Sequence, residues 1–270
     1  MNIQARPFET RRLDTDAPLD LSNAFIRKLE AFMPLTDAEK VDLARISARP
    51  RVVEARTDLI REGQAPDGVF LILDGFACRY KLRATGARHI MAYLVPGDLF
   101  GLNVDLLDSM DHSIGTLSAC RVVKIDAAVL AALVAHHPRI AHALRLSTLV
   151  DEATLREWLV NVGCRSASER IAHLLCELLL RMQAVGLASG NSYDLPITQV
   201  DIADTTGVSN VHVNRSLQEL RRRGLIDLRS KRLEILDLPA LKAVAEFKPN
   251  YLHLEATTKS PRTCATILSF

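Results

Sequence analysis

Two amides, a guanidinium and a small apolar side chain crowd one side of the stretch VSNVHVNRSLQELRRRGLI, Val208 to Ile226. At helical period Asn210, Val211, Asn214 and Arg215 gather together, while Val213, Leu217 and Leu220 repeat at i, i+4, i+7 on another side. Asn and Arg pair bidentately with adenine and guanine edges in the major groove. One packed face and one face of amides and guanidinium is the chemistry of a DNA reader. Arg221, Arg222 and Arg223 crowd the end of the stretch. Such a run alone is more often a solvated face, and it attracts phosphate without reading sequence.

Several elements must position those residues. Thr198-Gln-Val-Asp201 is an N-cap followed by a first-turn acid, so a short helix starts there and runs through Ile202 and Ala203 to Thr206. Small Ala203 lets two helix backbones approach, Gly207 tolerates the positive φ of a turn, and Ser209 caps the next helix. Thr206 and Ser216 are polar at positions often apolar in such units. After Gly224, Leu225 to Leu228 and Arg232 to Leu236 read as strands joined by Arg229-Ser230-Lys231, a wing with a basic tip.

The chain of 270 residues has room for two cores, and its 48% apolar content is that of a globular protein. Its formal charge of +2 is nearly balanced, so a nucleic-acid footprint must be local. Between Leu195 and Arg232, Arg215, Arg221, Arg222, Arg223, Arg229, Lys231 and Arg232 outnumber Asp201, Asp204, Glu219 and Asp227. The polar N-terminus does not read as a signal peptide, and no apolar run approaches a membrane span. Cys78, Cys120, Cys164, Cys176 and Cys264 are odd in number and hold no CxxC pair, which suits a reducing cytoplasm and disfavours a locally spaced metal site.

From Arg51 to Asp126 short apolar runs alternate with glycine turns: Val52–Val53, Val69 to Leu73, Phe76 to Leu82, His89 to Val95, Ile114 to Leu117 and Arg121 to Ile125. This predicts an antiparallel sandwich or barrel-like roll. Before it, Thr36 caps a helix carrying Asp37 and Glu39 in its first turn. Beyond it, helical texture runs from Ala127 to about Val162, with Ile140, Leu144, Ser147, Asp151, Leu155, Trp158 and Val162 as a seam; a pairing helix and an ordinary amphipathic core helix fit equally well. Gly163-Cys164 reads as a hinge and Ser166 to Glu169 as a capping box for the next helix. Ile171, Leu174, Leu175, Leu178, Leu179 and Met182 line that helix's buried face, and Val185 to Asp194 reads as a surface loop.

The strings LIREGQAPDGVFLILDGFACRYKL (Leu59 to Leu82) and LVPGDLFGL (Leu94 to Leu102) resemble the β-roll of the CRP/FNR superfamily of transcription regulators. LPITQVDIADTTGVSNVHVNRSLQELRRRGLIDL (Leu195 to Leu228) resembles that family's winged helix-turn-helix without a gap. The resemblance implies an α+β protein: an extension at 1–20, a β-roll sensory domain with its flanking helix at 21–130, a dimerisation helix at 131–163, a DNA-binding domain at 164–247 and a tail at 248–270. It implies a cytoplasmic homodimeric activator that binds double-stranded DNA and RNA polymerase. Asn210, Val211, Asn214 and Arg215 fall at the family's base-facing positions, and Thr198, Gln199, Ser209 and His212 at backbone-contacting ones. Arg221, Arg222 and Lys231 are added as phosphate contacts. Glutamate is frequent in the family where Val211 stands; valine accepts no hydrogen bond from cytosine but can pack on a thymine methyl.

In the family's cyclic-nucleotide binders a Phe-Gly-Glu segment holds the ribose, and an arginine ten residues on holds the phosphate. Here the candidate pocket has Phe100, Gly101 and Leu102, then His112 and Ser113. Leucine cannot accept from a hydroxyl, and neutral histidine replaces a bidentate guanidinium poorly. Cyclic AMP is therefore not the expected effector, and no cofactor is expected. The cysteine cluster of iron–sulfur oxygen sensors is missing, with no cysteine before Cys78; a haem would draw on His89, His112, His136, His137 or His142. Cys164 and Cys176 suit a redox switch less well than inert thiols. A small-molecule adaptor that does not act on DNA, or a cupin-type metal enzyme, would leave the motif from Thr198 to Arg232 without a use. No HxH pair supports the enzyme.

Overall fold

The computed structural model describes residues 19–102 and 106–254. Two helices lead in. Asn23 caps α1 (Ala24–Phe32), which the sequence reading missed, by accepting from Phe25 and Ile26 N–H. Thr36 and Glu39 form a reciprocal capping box on α2 (Asp37–Ser47).

Eight antiparallel strands follow in two four-stranded sheets. The first runs in the order β1 (Arg51–Val53), β8 (Cys120–Ile125), β3 (Val69–Asp74), β6 (Leu99–Phe100). The second runs β2 (Asp58–Ile60), β7 (Ser113–Thr116), β4 (Ala77–Leu82), β5 (Arg88–Leu94). The six expected strands are present; β2 and β6 were missed because three and two residues carry no readable period. Along β3 the sides alternate. Phe70 and Ile72 enter the roll interior with Phe100, Leu94 and Ile114, while Val69 and Leu71 join the core shared with the helices.

The expected single helix from Ala127 is two. Helix α3 (Ala127–His136) ends where Pro138 begins α4 (Pro138–Cys164), and His137 leaves helical geometry at φ −127°, ψ 88°. Proline disfavours the α region for the residue before it and offers no N–H to the preceding turn. Gly163-Cys164 does not break α4; the chain turns at Arg165, with extended backbone, and Ser166 with Glu169 caps α5 (Ala167–Ala184). Helix α5 is the hub of the second domain, buried from Ile171 to Leu179.

The expected loop at 185–194 is a hairpin, β9 (Ala188–Ser189) and β10 (Ser192–Asp194). It extends the wing into a four-stranded sheet with β11 (Ile226–Arg229) and β12 (Arg232–Ile235). The fully buried Tyr193 anchors it, its hydroxyl donating to the Leu175 carbonyl at 3.0 Å. The chain continues through α8 (Leu238–Val244) to a 3-10 turn at Pro249–Leu252, where Tyr251 and Leu252 are buried. This corrects the expected boundary at 248. The expected N-terminal extension to residue 18, and the tail from 255, lie outside the described residues.

Candidate nucleic-acid interface

Local chemistry builds the reading unit. Thr198 caps α6 (Gln199–Thr206), with Asp201 closing a capping box. Gly207 ends α6 in the left-handed region at φ 69°, where a side chain would add strain. Ser209 then caps α7 (Asn210–Arg222), accepting from His212 N–H at 3.4 Å, with its hydroxyl 2.9 Å from His212 Nδ1. Val213, Ser216, Leu217 and Leu220 bury one face of α7. The polar departures find local partners: Thr206 donates to the Ile202 carbonyl at 2.7 Å, and Ser168 donates to Ser216 at 3.1 Å.

The opposite face is exposed. Asn210, Val211, His212, Asn214 and Arg215 all stand in solvent, Val211 at 67% of its free area. Among the described residues Arg215 has no hydrogen-bonding or ion-pair partner. Asn214 donates weakly to Gln199 at 3.4 Å, which ties the start of α6 to the reading face. Gln218, one turn beyond Asn214, shares that exposed face. Its amide lies outside the positions matched by the family resemblance, and helical spacing from Asn214 is the signal that places it here.

The cations sort themselves by partner. Arg222 lies against Glu219 through Nε at 3.0 Å and Nη2 at 2.9 Å, and Arg221 donates to the Leu228 carbonyl at 2.7 Å. Arg229 pairs with Asp227 and Arg232 with Asp194. The wing turn is Ser230-Lys231 alone, both with positive φ (49° and 62°), and Arg229 faces Arg232 as the last strand pair. That is the twist-matched two-residue hairpin, here made without glycine. Thr198, Gln199, Ser209 and Lys231 are exposed at the ends and tip of this unit.

The expected effector residues are spread over different environments. Phe100 is buried and stacks on Phe70, with centroids 5.2 Å apart and planes at 7°. Gly101 has φ +88°, and a Cβ there would meet the Gly68 carbonyl at 2.8 Å. Leu102 is half-buried. His112 Nδ1 lies 2.6 Å from Asp111, its buried Nε2 has no partner, and Ser113 accepts from Glu62 N–H at 3.0 Å. Of the other haem candidates, His136 contacts the Ala132 carbonyl and His137 the Asp42 carboxylate. Among the described residues no group of three His, Cys, Asp or Glu stands close enough to hold a metal.

A solvent-connected cleft lies instead where α1, β4, β5, α4, α5 and Leu252 meet. Its charged groups are matched: Arg79 with Asp151 at 3.0 Å, and Lys28 and Arg181 with Asp98 at 2.6 Å each.

The expected seam on α4 needs correction. Ile140, Leu144, Ser147 and Trp158 are buried within the chain itself, Asp151 pairs with Arg79, and Val162 is half-buried. Of that set Leu155 alone is exposed, at 43%. Apolar periodicity cannot say which molecule a stripe packs on, and here the chain's own α1 and C-terminal turn take it. The exposed stripe runs Arg145, Leu149, Glu152, Arg156, Leu159, Gly163, again in steps of four and three, with Leu149 at 53% and Leu159 at 75% exposure.

Residues 50–137 match the model of the cyclic nucleotide-binding domain, and residues 169–244 that of the Crp-like helix-turn-helix domain. The nitrogen fixation regulation protein FixK of Azorhizobium caulinodans is 29% identical over 194 residues, 72% of this chain and 77% of its own. The transcriptional activator protein FnrL of Cereibacter sphaeroides is 28% identical over 187 residues, 67% of this chain and 74% of its own. The structure of FixK2 from Bradyrhizobium japonicum superposes with a TM-score of 0.63 at 23% identity, over 72% of this chain and 94% of that one. Roll, reading helix and wing thus occur in the family's order, and the chain belongs to the CRP/FNR superfamily of DNA-binding transcription regulators.

Proposed function

We propose that this regulator binds DNA as a homodimer and activates transcription through contact with RNA polymerase, with no catalytic activity of its own. The observation that carries the reading is the exposed face of α7, where Asn210, Val211, Asn214 and Arg215 stand in solvent opposite a buried apolar face. The exposed α4 stripe around Leu149 and Leu159 supplies a pairing surface. Two recognition helices related by a two-fold axis then enter successive major grooves of a near-palindrome. Arg215 and Asn214 read bases, Val211 packs on a thymine methyl, and Thr198, Gln199, Ser209 and His212 hold phosphates. Relatives described as activators support the direction of control.

Cyclic AMP is not the signal in this reading. Leu102 cannot accept from the ribose, His112 lies against Asp111, and the Ser113 hydroxyl serves the Glu62 N–H. Calorimetry with cyclic AMP and cyclic GMP should give no heat of binding at micromolar ligand, and a micromolar affinity would overturn this assignment. Selection of binding sites from random DNA, with and without reductant, tests the main reading. A near-palindrome with half-sites about one helical turn apart is expected; enrichment of single, unpaired half-sites would argue for a monomeric reader.

A further inference from the structure

The roll grips the first helix of the reading unit through a polar clasp that base reading does not use. The Asp201 side chain is fully buried. Its Oδ1 accepts from Arg56 Nη1 and Arg88 Nη2, both at 2.6 Å. Its Oδ2 accepts from Arg56 Nη2 at 2.8 Å and from the Thr198 N–H and hydroxyl at 2.8 and 2.7 Å. Arg88 reaches one turn further, its Nε donating to Asp204 at 2.8 Å. Tyr93, also on β5, closes the contact: its buried hydroxyl lies 2.6 Å from Thr205 Oγ1 and 3.3 Å from the Asp201 carbonyl. Arg56 holds its place at φ 63°, a left-handed conformation unusual for arginine.

Three roll residues thus converge on successive turns of α6. A buried carboxylate met by two guanidinium forks tolerates little sliding, since losing one partner strands charge away from water. Helix α6 packs on α7, and Gln199 touches Asn214, so whatever fixes α6 fixes the reading face. The clasp also cancels two of the four carboxylates between Leu195 and Arg232, Asp201 in the first turn of α6 and Asp204 one turn further on.

We propose that Arg56 and Arg88 are positioning residues for DNA binding: by clasping Asp201 and Asp204 they set the angle of the reading unit on the roll, and hence the separation of the two recognition helices. This rests on the homodimer reading above. A device that sets separation should govern which half-site spacing is accepted, while base preference within a half-site stays with α7.

The test uses the full chain with Arg56→Gln and Arg88→Gln together. Its DNA probes are the selected palindrome, versions with base pairs inserted or removed between the half-sites, and versions with one base changed inside a half-site. The variant should bind the correct spacing about tenfold more weakly, as lost preorganisation dictates. It should lose most of its discrimination against wrong spacings and keep its discrimination against the changed base. Undiminished spacing discrimination would overturn the proposal. Spin labels on the roll and wing give a reading without DNA: a narrow distance distribution in the parent should broaden in the variant. An unchanged distribution refutes the clasp even if DNA binding falls. If the parent ignores spacing altogether, the homodimer reading fails, and the label distances still judge the clasp. Should the double variant not fold, Tyr93→Phe, which removes one hydroxyl, carries the same two measurements with smaller shifts expected in the same direction.

Discussion

Among the arginines of the reading unit, the partner decides the role. Arg215 has none among the described residues, whereas Arg222 lies against Glu219 and Arg221 on the Leu228 carbonyl. Replacing Arg215 by alanine should erase discrimination at one base pair per half-site, roughly ten- to a hundredfold. Arg222→Ala should lower affinity evenly across sequences. Mobility shifts on a panel of single-base variants distinguish the two, and uniform losses in both mutants would contradict these roles. The thiols divide in the same way. Burial pushes Cys78, Cys120 and Cys176 up to about 12, while Cys164 is exposed at the end of α4. A thiolate-selective reagent on the native protein should modify Cys164 and leave those three untouched, as peptide mapping would show; rapid labelling of Cys176 would restore a redox role for it. None of this partnering is visible in the run Arg221-Arg222-Arg223, where identical letters hide the different partners of Arg221 and Arg222.

At the scale of elements, α4 shows why periodicity alone was ambiguous. It carries two stripes spaced by fours and threes; one is buried within the chain and the other faces out. Ile140→Ala should therefore cost about 2–5 kcal/mol of folding stability, as a core truncation does. Leu159→Asp should cost less, shift sedimentation toward the monomer and remove the dependence of the thermal midpoint on protein concentration. Equal loss of stability in both variants would put Leu159 in the core instead. The joint between α4 and α5 holds a second device. His173 is fully buried among Trp158, Phe247 and Tyr251, its Nε2 only in a long contact with Glu157 Oε1 at 3.4 Å and its Nδ1 without a hydrogen bond. Glu177 beside it accepts from Trp158 Nε1 at 3.0 Å and Tyr251 hydroxyl at 2.9 Å. Burial pushes the His173 imidazole below its ordinary value against the pull of Glu177 and Glu157, with Arg165 adding to the depression. A folded-state value below the unfolded one means that the unfolded chain binds the extra proton first. This contribution to stability is complete above the unfolded value and is lost as pH falls toward the folded one. His173→Gln should flatten the fall in thermal midpoint between neutral and mildly acidic pH; an unaltered slope would assign it to other groups.

For the whole molecule, local chemistry and long-range contact divide the credit. The capping residues Thr36, Ser166, Thr198 and Ser209, the turn at Gly207 and the apolar run of β3 were legible in the sequence, because each depends on neighbours within a few positions. So was the exposed polar face of α7, since amphipathicity over thirteen residues separates a packed face from a wet one. The helix break at Pro138 was also within reach of sequence, as proline chemistry is local. The hairpin at 188–194 and the packed turn at 249–252 were not: two-residue strands and a lone buried tyrosine acquire meaning only against the sheet and helices that cover them. The sequence by itself determined the main run of elements and the polar, outward face of α7, because those follow from short-range propensity and residue type, while its strings carried the family resemblance. Only the tertiary structure decided which stripe of α4 stays free, which arginines are engaged, and that Arg56 and Arg88 meet Asp201 across more than a hundred residues. Such pairings depend on how the two domains are oriented, and no local pattern in the chain encodes that orientation.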